Sequence, residues 1–224
     1  MNSSEDQASQ DGKVIQVAVV VAHPDDEILW AGGLLLKHPE WSTVIITLCR
    51  SSDRDRAPRF RRVLRLLGAS GAMGDLDDAP EQIPLQMLTV QETILSLLPE
   101  RQYDILLTHA PEGEYTWHQR HGEAAYAVRT LWQANRLHSK SLWQFAYEDG
   151  GGAYFPRPQK DADVHLALPD ALWTRKRNLI TQIYGFDPTS WEAQTTPHTE
   201  AFRCFSHSGE GQPHLSTAFP RSSE

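Results

Sequence analysis

The chain has 224 residues, 40% of them hydrophobic and 22% charged, with a formal net charge of −8. That composition suits one α/β domain with a real core, and the acidic balance gives no footing for a nucleic-acid partner. Two cysteines, Cys49 and Cys204, argue against a disulfide framework, and no apolar stretch approaches the roughly 18 residues of a membrane span.

Residues 1–12 are polar and small, as is the stretch 206–224, so both are expected to be loosely ordered tails around a domain at 13–205. The Met1–Lys13 segment lacks the apolar stretch of a secretory signal, so a cytoplasmic location is expected. Lys13–Ala22 (KVIQVAVVVA) is a β-branched run that reads as a buried, parallel strand. Ile28–His38 has helical composition and stops at Pro39, and Thr43–Cys49 reads as a second buried strand.

The basic stretch Arg50–Arg65 reads as a solvated loop and helix face. Within it, Phe60, Val63, Leu64 and Leu67 fall on one face of a helix over Arg59–Leu67 that Gly68 ends. Further helices are expected over Leu85–Leu98, Gly122–Gln133 and Ala171–Tyr184, and further strands over Tyr103–Thr108, Leu142–Tyr147 and Asp163–Leu168. This β-α alternation predicts a Rossmann-like, mainly parallel sheet with helices on both faces. Ligands of such sheets bind beyond the carboxyl ends of the strands. Two polar, His-bearing loops, His23–Glu27 and His109–His121, fall on that rim.

The first loop reads His23-Pro24-Asp25-Asp26-Glu27. A hydrolytic metal site needs protein ligands, an open position and a nearby carboxylate to take a proton from water. Here His23 leaves the strand, Asp26 lies three residues on where a first helical turn aims it beside His23, and Asp25 faces the open position. Glu27 is expected to orient a ligand or tie down a backbone N–H. Gly32-Gly33 allow the following helix to pack closely on the sheet. In the second loop His118 and His121 stand three apart at a helix start, so both point one way. One can ligate a metal while the other polarises a substrate carbonyl. His109 is expected to orient the loop.

Together, Ala22–Glu27 (AHPDDE), Gly32-Gly33 and Gly113–His121 (GEYTWHQRH) resemble the LmbE-like or PIG-L-type N-acetylglucosaminyl deacetylases. The resemblance spans Val14–Leu131. It implies a Rossmann-like fold, one zinc on His23, Asp26 and His121, and Asp25 as general base. It further implies that His118 stabilises the oxyanion or protonates the leaving amine. The substrate it implies is a small N-acylated molecule, an amino sugar or sugar conjugate. Arg56, Tyr115 and Trp117 are the candidate substrate contacts. The chain departs from the family at Gln119-Arg120, where many members have Pro-Asp, and at Arg59, which stands where a Glu commonly follows the residue matched by Arg56. Alternatives are a zinc amidase for a non-sugar or thiol-conjugate amide, and a metal-binding module without catalysis. The acids of Gly74–Glu81 (GDLDDAPE), Asp75, Asp77 and Asp78, read as turn residues, any one of which can bind sugar hydroxyls.

Overall fold

A computed structural model describes residues 13–116 and 118–206; both expected tails, apart from Ser206, and Trp117 lie outside the described residues. In chain order the elements are β1 (Gln16–Val21), α1 (Asp26–Lys37), β2 (Ser42–Cys49), α2 (Arg56–Leu67), β3 (Ser70–Leu76), α3 (Met87–Leu97) and β4 (Tyr103–Thr108). There follow α4 (Gln119–Gln133), β5 (Ser139–Phe145), β6 (Tyr147–Glu148), β7 (Arg157–Pro158), β8 (Val164–Ala167) and α5 (Asp170–Asn178). A π-helical turn over Leu179–Ile183, α6 (Trp191–Thr195) and β9 (Thr199–Ser206) complete the described chain.

Seven strands form one sheet in the order β3-β2-β1-β4-β5-β9-β8. The first five are parallel, and β9 runs antiparallel to both β5 and β8. Successive side chains of a strand face opposite ways, and β1 divides accordingly. Val17, Val19 and Val21 pack with Ile28, Leu34, Phe60, Val63 and Ile180 of α1, α2 and the π turn. Ala18 and Val20 pack with Val90, Ile94, Ala124 and Val128 of α3 and α4. Helices therefore cover both faces of a single-domain, mostly parallel Rossmann-like sheet, as the β-α alternation predicts. The strand order reverses between β1 and β4, which is where such a sheet leaves a crevice.

Four details differ from the sequence expectations. Strand β3 has a turn-like composition, SGAMGDL, because its backbone runs close to its neighbours: a Cβ on Gly71 would stand 2.1 Å from the Ile45 carbonyl oxygen. The expected strand over Leu142–Tyr147 is two strands, broken at Ala146, whose N–H turns to the Ala201 carbonyl. The expected helix over Ala171–Tyr184 changes to a π-helical turn after Asn178. Strand β9, for which the pattern suggested no element, runs through Ser206, one residue past the expected domain end.

Strand β9 also holds α1 to the sheet. Its buried Glu200 accepts N–H bonds from Gly33 (2.6 Å) and Leu34 (2.7 Å) and pairs with buried Lys176 at 2.7 Å. A Cβ at Gly33 would lie 2.4 Å from the Leu168 side chain, so the close packing expected of Gly32-Gly33 depends on Gly33. Among the described residues no helix is long and apolar enough to cross a membrane.

Candidate active site

The loop after β1 is short and tense. Asp25 stands at the N-terminus of α1 with φ 126° and ψ −30°, a conformation that costs a non-glycine residue about 1–3 kcal/mol and persists only where neighbours enforce it. Three groups enforce it here. Its N–H donates to Glu27 Oε2 (3.0 Å), its carbonyl accepts the Ile28 and Leu29 N–H groups, and its carboxylate takes Arg56 Nη1 at 2.9 Å. Glu27 is in turn bonded to the Tyr184 hydroxyl. Glu27 thus ties down the N–H of Asp25. Burial and the charge of Asp26 push the Asp25 carboxyl up to about 7, against Arg56 and His23.

Asp26, at the first position of α1, accepts the His23 backbone N–H (2.9 Å) on Oδ2 and the Trp30 indole N–H (3.3 Å) on Oδ1. Burial would raise its pKa, but the His121 and His109 rings outweigh that and hold it well below the usual carboxylate range. His23 presents Nε2 to Asp78 at 3.0 Å and Nδ1 to Asp26 Oδ2 at 3.3 Å. Burial lowers its pKa, yet the hydrogen bonds and charges of Asp26 and Asp78 raise it to about 9. This corner of the site therefore favours a positive charge between the two carboxylates.

The loop after β4 is organised around Glu114, a fully buried carboxylate. Its Oε2 meets His109 Nδ1 at 3.0 Å and His121 Nδ1 at 2.7 Å. His109 Nε2 accepts the Ala22 N–H at 3.0 Å, which stitches this loop to the end of β1. With both ring nitrogens engaged, His109 orients the loop. His121 differs: its Nδ1–H is taken by Glu114, while its buried Nε2 has no hydrogen-bond partner. Burial lowers the His121 pKa, and the charge of Asp26 opposes that.

The two loops converge on Asp26. Its Oδ2 lies 3.3 Å from His23 Nδ1 and 3.4 Å from His121 Nε2. Asp26, His109 and His121 each offer a ligand atom within 4.8 Å of the others, a spacing open to a metal ion. His118 belongs to the same cluster: His23, His118 and His121 each offer a nitrogen within 4.8 Å of the others. The His118 and His121 rings stack at 4.6 Å. Burial, then His121 and His23, lower the His118 pKa to about 4, so its ring is neutral at neutral pH.

A pocket of about 230 Å³ opens over this cluster, bordered by Asp25, Arg56, Tyr115, His118, Trp191 and Glu192 among others. The structure thus brings together His23, Asp25, Asp26, His118 and His121 with Arg56 and Tyr115, while Trp117 lies outside the described residues. Four contributors were not singled out by spacing. Glu114 sits inside the quoted GEYTWHQRH stretch, and Asp78 is one of three acids that the sequence does not distinguish. Trp191 and Glu192 come from a segment with no motif; the Trp191 ring meets Tyr115 edge-on at 4.6 Å. Arg120, at the place where the chain departs from the resembled family, is buried and holds the turn that carries Asp78 through the Asp77 and Ile83 carbonyls. Arg59 bonds Asp55 and the Tyr184 carbonyl and does not border this pocket.

No family model matches the chain. An uncharacterized protein of Acanthamoeba polyphaga mimivirus is 26% identical over 126 residues, 49% of this chain and 56% of that protein, so the match spans about half of each. Among solved structures, GalB, the 4-carboxy-2-hydroxymuconate hydratase of Pseudomonas putida, superposes with a TM-score of 0.61 at 16% identity, covering 94% of this chain and 99% of its own. The N,N'-diacetylchitobiose deacetylase of Pyrococcus horikoshii gives 0.62 at 14% identity, covering 87% and 85%. The zinc-inhibited form of a teicoplanin deacetylase gives 0.61 at 12% identity, covering 87% and 100%. These likenesses establish the fold: a Rossmann-like α/β sheet that one hydratase and several deacetylases share.

Proposed function

We propose that the chain is a metal-dependent N-deacetylase of the LmbE-like or PIG-L type, hydrolysing the amide of an N-acetylated amino sugar or sugar conjugate. A shared fold does not select between hydratase and deacetylase chemistry, so the reading rests on the site. One observation carries it: a strained, raised-pKa carboxylate, Asp25, stands beside a cluster in which Asp26 Oδ2 lies within 3.4 Å of a nitrogen of both His23 and His121. A site that only stored metal would have no use for such a neighbour.

His23, Asp26 and His121 would hold the zinc, which when bound would supply Lewis acidity to the carbonyl and lower the pKa of water toward neutrality. Asp25, poised near neutral pH by its surroundings, takes the proton from the attacking water. Arg56 keeps that carboxylate aimed into the pocket. His118, neutral at this pH, donates a hydrogen bond to the oxygen that becomes negative as the amide carbon turns tetrahedral. The carbon–nitrogen bond then breaks, and the proton held on Asp25 passes to the amine. Trp191, with Tyr115 against it, offers an aromatic face to a sugar ring.

The test is to measure bound metal and then follow acetate and amine release from a panel of N-acetyl sugars, with and without a chelator. Chelator-sensitive release supports the reading. Release only from non-sugar or thiol-conjugate amides corrects the substrate class. Water addition to an unsaturated acid without amide cleavage, or metal without any turnover, overturns it.

A further inference from the structure

The residues just past His109 border a second and larger cavity, about 670 Å³ against the 230 Å³ over Asp25. Its size falls within the range of small-molecule sites. Its walls are Ala110–Glu112, Arg129 of α4, Gln144 of β5, the region of β6 and β7 through Asp161, and Arg203 and Phe205 of β9. Because β9 joins the sheet antiparallel beside β5, it closes this cavity with side chains remote in sequence from those on α4.

Two features of the lining are unsettled without an occupant. Gln144 is 2% exposed, and its side-chain nitrogen has no hydrogen-bond partner among the described residues. Burying an unpaired amide donor is unfavourable, a cost that a ligand acceptor would remove. The second feature is charge. Arg157 is paired with Glu148 at 3.1 Å, and Arg203 with Asp161 at 3.1 Å. Arg129 and Lys160 have no carboxylate within salt-bridge distance among the described residues; Arg129 lies over the Phe205 ring at 5.3 Å from its centroid. Against these two cations stands one lining acid with no ion pair among the described residues, Glu112.

We propose that this cavity is a binding site, separate from the metal cluster, for a small organic molecule bearing a phosphate or carboxylate group. Arg129 and Lys160 neutralise the oxyanion, the Gln144 amide donates to one of its oxygens, and Phe205 supports the organic part. The site is independent of the deacetylase reading, since no metal ligand or Asp25 lines it.

The experiment follows the side-chain amide signals of Gln144 in ¹⁵N-labelled full-length protein by NMR, assigned with Gln144→Leu. Inorganic phosphate and benzoate are titrated at constant ionic strength against chloride. Saturable movement of the Gln144 signals with phosphate, benzoate or both is expected, and which anion binds more tightly identifies the group the site prefers. The double variant Arg129→Gln/Lys160→Gln is expected to weaken binding at least tenfold. Gln144→Leu, which removes the unpaired donor, is expected to melt no lower than wild type while also binding more weakly. Signals that do not saturate with either anion, or unchanged affinity in the double variant, overturn the proposal.

Discussion

The two loops that build the proposed metal site reach the same atom by different means. After β1, five consecutive residues contain the proposed ligand histidine, the proposed ligand carboxylate and the candidate base, and the conformation is enforced by the first turn of α1 itself. After β4, ten residues separate the strand from α4, and the proposed ligand His121 is aimed by Glu114, which also grips His109. The first loop is preorganised by backbone strain and helix geometry, the second by one buried carboxylate shared between two rings. Losing a hydrogen-bonded group that orients a metal ligand typically costs about 10–100-fold in metal affinity. The second loop therefore concentrates its sensitivity in one residue.

The largest expected effect comes from removing the second loop's ligand. His121→Ala is expected to lose bound metal, read by elemental analysis; wild-type metal content would take His121 out of the ligand set and leave the first loop sufficient. Next is Asp25→Asn, expected to keep metal and lose about 10²–10⁴-fold in turnover, the range of positioned acid–base groups. Full activity in that variant contradicts the base assignment.

Glu114→Gln sharpens the comparison, because the amide cannot accept from both imidazoles and the Ala110 N–H that meet the carboxylate. Metal affinity measured by chelator competition is expected to fall about 10–100-fold. Asp78→Asn makes the matching change behind His23. Asp78 divides its oxygens among His23, Gln82 and the exposed Arg50, so the drop should sit near the low end, about tenfold. A larger loss for Asp78→Asn than for Glu114→Gln would reverse the asymmetry between the loops.

Most of the parallel half of the sheet was legible from pattern: the β1, β2 and β4 runs are continuous and apolar because both of their faces are buried. Strands β3 and β9 were not. The glycines of β3 resemble a turn until the Ile45 carbonyl beside Gly71 explains them. Strand β9 is recognisable only through its partners, β5 and β8. In the site, the residues carried by the HPDDE stretch stood out because ligand and base lie within one turn. Glu114, Asp78 and Trp191 carry no such spacing.

By itself the sequence determined the alternation of elements, the rim on which the polar loops fall and the residue types available there. These are properties of side-chain periodicity and short-range spacing. Only the tertiary structure decided which acid orients which histidine, since His23 and Asp78 lie 55 residues apart and Ala22 and His109 lie 87 apart. It also decided that an antiparallel strand would close a second, cationic cavity beside β5. Such pairings follow from strand order and register, which bring distant residues within hydrogen-bond reach and leave no trace in local pattern.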